Sequence, residues 1–226
     1  ALQISDKLQL LGGSIYTYSD LDNSVVRMNT LLPSFDESLK IFSDIVLNPI
    51  FPQSEFDRLK KEQINNIRRE HTQPFSMALR IFPKFIYGEG HAYSQPLTGS
   101  GYEDEVENLT REDMIEFYDT WIKPNNATLV VVGDLVMSEL LDKVNNLFSG
   151  WEKGSVPKKN LTHVSDIEPN KLYLMDRPES EQSVLISGYV VSPYGTISEV
   201  AQRTIMNILG GDFTSRINMN IREDKH

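Results

Sequence analysis

Cysteine is missing altogether from these 226 residues, which excludes a disulfide framework, a thiolate metal site and a cysteine nucleophile. Histidine is scarce as well: His71, His91, His163 and His226 are the only four, and no two of them stand four residues apart. Basic side chains are outnumbered, with 22 Lys and Arg against 32 Asp and Glu, giving a formal charge of −10. That balance argues against nucleic acid as a partner, because phosphate contacts need clustered cations. No apolar run approaches the roughly 20 residues that cross a bilayer, so no membrane span is expected. Gly210-Gly211-Asp212 lacks the Lys and the spacing of a phosphate loop. What is present is ordinary for a soluble globular protein, 39% apolar and 24% charged residues.

Helices and strands are mixed along the chain without regular alternation, which predicts the α+β class. Leu2, Ile4, Leu8 and Leu11 mark an amphipathic helix rather than a leader, and Gly12-Gly13 closes it. Residues 14–19 and 24–32 read as strands around a turn at 20–23. Ser34 with Glu37 reads as a capping box opening the next helix, and a longer helix is expected from Ser54 to about Glu70. Pro74 begins another, which Pro83 should kink or end. Residues 88–107 read as a long Gly- and acid-rich loop. Thr110 with Asp113 starts a helix through Trp121, and another is expected over 138–148. The continuous run from Ala127 to Val132 fits a strand buried on both faces. Further strands are expected at 172–175 and 183–191, and a helix at 198–209. After the glycine pair 210–211, Thr214 or Ser215 can cap a last helix carrying Ile217 and Ile221. Nothing after Arg222 reads as a natural terminus, so a piece of a longer protein is expected.

Four segments in order carry a resemblance over nearly the whole chain. They are Leu10-Leu11-Gly12-Gly13-Ser14; Tyr87-Gly88-Glu89-Gly90-His91-Ala92-Tyr93 with Pro96-Leu97-Thr98-Gly99; Pro124 to Asp134; and the stretch from Gly210 to Lys225. Together they resemble the pitrilysin/insulinase family of zinc metallopeptidases, which includes the mitochondrial processing peptidases. The resemblance implies an antiparallel-rich sheet with helices packed on it, in two related lobes. The first would be residues 1–152, lacking its N-terminal strand and helix; 153–170 would be a linker, and 171–226 the start of a truncated second lobe. In this family two homologous domains close like a clam around an unfolded peptide. One domain holds zinc through a His-x-x-Glu-His motif and a glutamate from a later helix, because two imidazoles and a carboxylate leave a place for an activated water.

The motif is absent from this sequence, and by resemblance its helix would fall before Ala1. The later helix is present, and the expected glutamate ligand falls on Asn66, whose neutral amide oxygen has little affinity for zinc. Another acidic position of active members is Leu59 here, while Glu62 or Glu70 could substitute only by a slip of about a turn. No metal ligand or catalytic residue is therefore assigned within the chain, and zinc is expected only in a catalytic partner. The resemblance points to Arg222 as a substrate contact; Tyr16, which departs from the Asn usual in active domains, and Tyr18, which keeps the aromatic, are further candidates on the strand after the double glycine. A guanidinium suits the task because its fixed fork of donors grips peptide carbonyls. A tyrosine seven residues after Arg222 would complete that pair. His91 reads as a hydrogen-bonded loop residue.

The expected function is thus a non-catalytic, substrate-binding and chamber-closing domain of a zinc endopeptidase acting on unfolded peptides. Its partners would be a homologous catalytic domain, in the same chain or a second subunit, and an extended peptide. Two alternatives stay open: a catalytic domain whose zinc motif lies before Ala1, and a structural or assembly subunit of the same fold. The compartment is unknown from sequence, with a periplasmic or otherwise exported location favoured over the cytoplasm.

Overall fold

The structure is a computed structural model that describes residues 2–159, 161–164, 171–180, 182–193, 195 and 198–225. Two compact units emerge, Ala1–Ser165 with Leu172–Ile186, and Asp166–Lys171 with Ser187–His226. The class is α+β.

The first unit opens with helix α1 (Leu2–Leu10), which buries Leu8 and packs on strand β1 (Ser14–Ser19). The double glycine ends the helix as a pair of reverse bonds. Gly13 N–H donates to Leu8 O at 2.8 Å and Gly12 N–H to Gln9 O at 2.9 Å, with Gly12 in the left-handed region at φ 68°. A Cβ at Gly12 would also lie 2.7 Å from Leu31 Cδ1, a clash that the exposed Leu31 side chain can relieve by turning, so it is the backbone conformation that demands glycine. β1 then pairs antiparallel with β2 (Ser24–Asn29), in a register running from Ser14↔Asn29 to Ser19↔Ser24. The turn is held by Asp20, whose Oδ1 accepts from Asp22 N–H at 2.8 Å and Asn23 N–H at 2.7 Å.

Helix α2 (Phe35–Leu47) buries Phe35, Ser38 and Leu39, but the capping box expected at Ser34 does not form. Ser34 sits in a 3₁₀ turn, Leu32–Ser34, at φ −102° and ψ 6°. That geometry departs from the extended backbone from which a capping oxygen reaches the first free N–H groups. The box expected at Thr110 is complete: Thr110 Oγ1 accepts from Asp113 N–H at 3.2 Å and Asp113 Oδ2 from Thr110 N–H at 2.7 Å. It opens the helix Arg111–Trp121.

Helix α3 (Gln53–Glu70) buries Phe56 and Ile67, and helix α4 (Pro74–Tyr87) follows it. Contrary to expectation, α4 runs through Pro83. Proline lacks the N–H that Leu79 O would accept, and Leu97 N–H fills that place at 3.1 Å. The loop expected over 88–107 contains a 3₁₀ turn, Ala92–Ser94, and a short helix α5 (Glu103–Asn108) packed on α3. Acidic Glu103, Asp104 and Glu105 in its first turn suit a helix N-terminus. Helix α6 (Arg111–Trp121) anchors to α2 through Tyr118, whose hydroxyl donates to Val46 O at 2.6 Å. Helix α7 (Met137–Phe148) packs on α2 and places Lys143 against Asp36.

The strands expected at 127–132, 172–175 and 183–191 do not form among the described residues. A strand exists only where a neighbour satisfies its N–H and C=O groups, and the one ladder here joins β1 to β2. The run read as buried on both faces is open, with Val130 76% and Val132 93% exposed.

In the second unit, helix α8 (Glu199–Met206) is capped by Ser198 and continues into a π-helical turn, Asn207–Gly211. Helix α9 (Arg216–Asn218) is capped by buried Ser215 and continues into a second π-helical turn, Met219–Asp224. Of the two expected caps, Ser215 is the one used.

Replacing Gly12 by Ala forces a left-handed alanine against Leu31. The expected loss is about 1–2 kcal/mol of stability, read as a lower urea midpoint by circular dichroism. An unchanged midpoint would show that the helix end tolerates a side chain.

Candidate functional site

Asn66 lies on the outer face of α3, in an open groove lined also by Arg58, Lys61, Glu62, Asn65 and Arg69. Its Oδ1 accepts from Arg69 Nη2 at 3.0 Å. The amide oxygen is thus already committed to a cation, and the groove carries three basic side chains. Glu62, one possible substitute ligand, pairs with Arg58 at 3.1 Å. Among the described residues no group of three or more His, Asp or Glu side chains could hold a metal ion. Such a donor set does not fit zinc, which is held by imidazole, thiolate and carboxylate.

The other possible substitute, Glu70, is consumed by a different task. Arg80, only 5% exposed, ion-pairs with it at 2.6 Å and also donates to Ser100 Oγ and to Gly101 O. Ser100 and Thr98 hydroxyls donate to the same Glu70 oxygen. Burial by itself would raise the Glu70 carboxyl, but hydrogen bonds from Ser100, Arg80 and Thr98 and the Arg80 charge outweigh it and hold it below its ordinary value. Glu70 is therefore a structural clamp between α3, α4 and the 98–101 loop. No motif or spacing in the sequence signals this network, which joins residues 70, 80, 98 and 100.

His91 is buried and has both ring nitrogens occupied. Its Nδ1 accepts from Tyr93 N–H at 3.0 Å, so Nε2 carries the proton and donates to Thr162 O at 3.0 Å. The ring also stacks on Tyr87. Nearby, Asp22 accepts from Lys159 Nζ and from the Tyr93 hydroxyl, each at 2.8 Å. The Lys159 hydrogen bond, helped by that of Tyr93, keeps the Asp22 carboxyl below its ordinary range. Lys159 is thereby fastened to the hairpin turn, and Thr162 to the 91–93 loop.

Tyr16 and Tyr18 lie side by side on β1, ring centroids 6.0 Å apart, and are 63% and 47% exposed. Arg222 belongs to the second unit, within the Met219–Asp224 turn. Its guanidinium lies 5.2 Å from the Phe213 ring centroid and forms no ion pair with Glu223 or Asp224 among the described residues.

Residues 108–226 match the family model described as the peptidase M16 inactive domain, and residues 1–81 match that of insulinase, peptidase family M16. The chain belongs to the insulinase family. An uncharacterized zinc protease of Rickettsia bellii (strain RML369-C) is 23% identical over 99% of this chain and 52% of its own length. A probable inactive metalloprotease of Bacillus subtilis (strain 168), YmfF, is 22% identical over 84% of this chain and 45% of its own. The chain therefore spans about half the length of the curated relatives it matches. A crystal structure of a peptidase M16 inactive domain from Pseudomonas fluorescens shares the fold, with a TM-score of 0.76 and 19% identity over 97% of this chain and 53% of that one. No described helix is long and apolar enough to cross a membrane.

The clamp gives this member of the insulinase family a specific acid sensitivity. A carboxylate depressed on folding stabilises fully above its unfolded value, here near 4.5, and loses that contribution as pH falls through the lower folded value. Glu70→Gln is expected to cost about 3 kcal/mol at neutral pH and to flatten the stability profile below pH about 4.5. Urea midpoints measured from pH 7 to pH 3 check both; an acid limb as steep as that of the wild type refutes the clamp.

Proposed function

We propose that this chain is the metal-free, peptide-binding part of a zinc-peptidase-like protein, closing a chamber against a catalytic half that supplies the metal. The observation that carries the reading is Asn66, an amide whose oxygen accepts from Arg69 on a helix face of mixed charge that also carries Arg58, Lys61, Asp57 and Glu62. In this reading it takes the position at which the resemblance expects a carboxylate ligand. The match of more than half the chain to a model described as an inactive domain supports it, as does the relative named an inactive metalloprotease. The zinc in the names of other relatives is then a property of the partner half.

The peptide would be held in extended form. On the first unit, the outer edge of β1 and the unpaired run 127–132 offer backbone groups for strand addition, and Tyr16 and Tyr18 offer side-chain contacts. On the second unit, taken by itself, Arg222 offers a guanidinium to peptide carbonyls. Arg222 is prepared for this by the Phe213 ring, which supports the guanidinium without consuming its donors. In the same reading, residues 1–152 and 171–226 act as two lobes joined by 153–170.

Two measurements test the proposal. Calorimetric titration with zinc should give no stoichiometric site, whereas tight binding lost on Asn66→Ala contradicts the neutral-ligand argument. In the presence of a chelator, an unstructured fluorescent peptide should still bind by anisotropy, and Arg222→Ala should weaken it about tenfold, ~1.4 kcal/mol. Zinc-dependent binding would argue for a metal centre in this chain.

A further inference from the structure

The exposed face of the β1–β2 hairpin combines two aromatic rings with one unpaired cation. Side chains on one face of a strand recur every second residue, so Tyr16 and Tyr18 share a face. The antiparallel register sets Arg27 directly across from Tyr16 and Val25 across from Tyr18. Residues paired across a ladder have Cβ atoms about 5 Å apart, so Arg27 and Tyr16 form one continuous patch. Arg27 is exposed, and its guanidinium has no hydrogen bond or ion pair among the described residues. The phenol hydroxyls of Tyr16 and Tyr18 are likewise without partners there.

Arg27 stays free for a specific reason. The only carboxylates in the hairpin are Asp20 and Asp22. Asp20 is folded back on the backbone N–H groups of its own turn. Asp22 is occupied by Lys159 and Tyr93. Neither is available to neutralise Arg27, in a chain whose overall charge is −10. The patch therefore presents a local excess of hydrogen-bond donors: a guanidinium fork and two hydroxyls, set beside aromatic surface.

We infer that this hairpin face selects peptides carrying an acidic side chain next to an aromatic or large apolar one, with Arg27 as the specificity-determining residue. The inference rests on the peptide-binding reading above and adds the substrate class. A carboxylate can accept both forks of the Arg27 guanidinium and a tyrosine hydroxyl, contacts that an amine cannot make. The neighbouring rings take an apolar side chain two residues along, since an extended peptide repeats its face about every 6.8 Å and the tyrosine rings are 6.0 Å apart. A lysine in the acidic position would instead face Arg27 with like charge.

The test uses the full chain, a chelator, and two labelled unstructured peptides identical except for Glu or Lys two residues from a Phe. Anisotropy titration should show the Glu peptide bound about fivefold more tightly, the scale of one exposed ion pair. The Arg27→Gln variant should bind both peptides equally, and Arg27→Glu should prefer the Lys peptide. Because residue 27 is exposed, both variants should keep the wild-type circular dichroism spectrum, and Arg27→Gln serves if the reversal perturbs folding. Equal affinities in the wild type, or a Glu preference that survives Arg27→Glu, overturn the selectivity while peptide binding stands. Failure of both peptides to bind the wild type overturns the peptide-binding reading and this inference with it.

Discussion

One buried guanidinium organises the centre of the first unit. Arg80 reaches from α4 to Glu70 at the end of α3, and its remaining donors hold Ser100 and Gly101. A charge taken out of water is costly unless it is paired and fully hydrogen-bonded, and here the pairing comes from three separate stretches of chain. Remove any one stretch and the other two lose their alignment. The same anchor helps to fix the path of the glycine-rich loop, together with the burial of Pro96 and Val106.

Around that anchor, smaller accommodations keep the fold intact. Pro83 leaves Leu79 O without a helical donor, and the returning loop supplies Leu97 N–H. The loop thus repairs the helix, and the helix fixes the loop. Lys159 and Thr162 are secured in a similar way, by Asp22 and by His91. The consequence for function lies in what these contacts use up. Glu70, Asp22 and His91 are withdrawn from chemistry into structure, whereas Tyr16, Tyr18, Arg27 and Arg222 keep their polar groups available to a ligand.

Local signals were read well where the physics is local. The double glycine at 12–13, the Thr110 box and the Ser215 cap each depend on a few neighbouring residues, and each has the form its sequence predicts. The Ser34 box failed because a 3₁₀ turn at Leu32–Ser34 changed the backbone angles on which capping depends. Val130 and Val132 misled for a different reason. Apolar, β-branched residues announce a tendency to pair, but pairing needs a second strand, and none lies beside them among the described residues. Asn66, Tyr16, Tyr18 and Arg222 are singled out in the sequence only through the family resemblance. Arg27 is not, because its significance lies in facing Tyr16 across a register that only the folded hairpin defines.

By itself the sequence determined which chemistry is unavailable: without cysteine, with four scattered histidines and an amide at residue 66, the chain carries no recognisable set of zinc ligands. It also determined the hairpin and the helix ends at Gly12-Gly13, Thr110 and Ser215, since those are settled within a few residues. Tertiary structure alone decided which charged groups are spent and which remain free. Glu70 and Arg222 look equally solvated in sequence, yet one is clamped by a partner ten residues away in the chain and the other rests on an aromatic ring. Whether a charge is neutralised depends on distance in space, and that distance is fixed only when separate segments pack together.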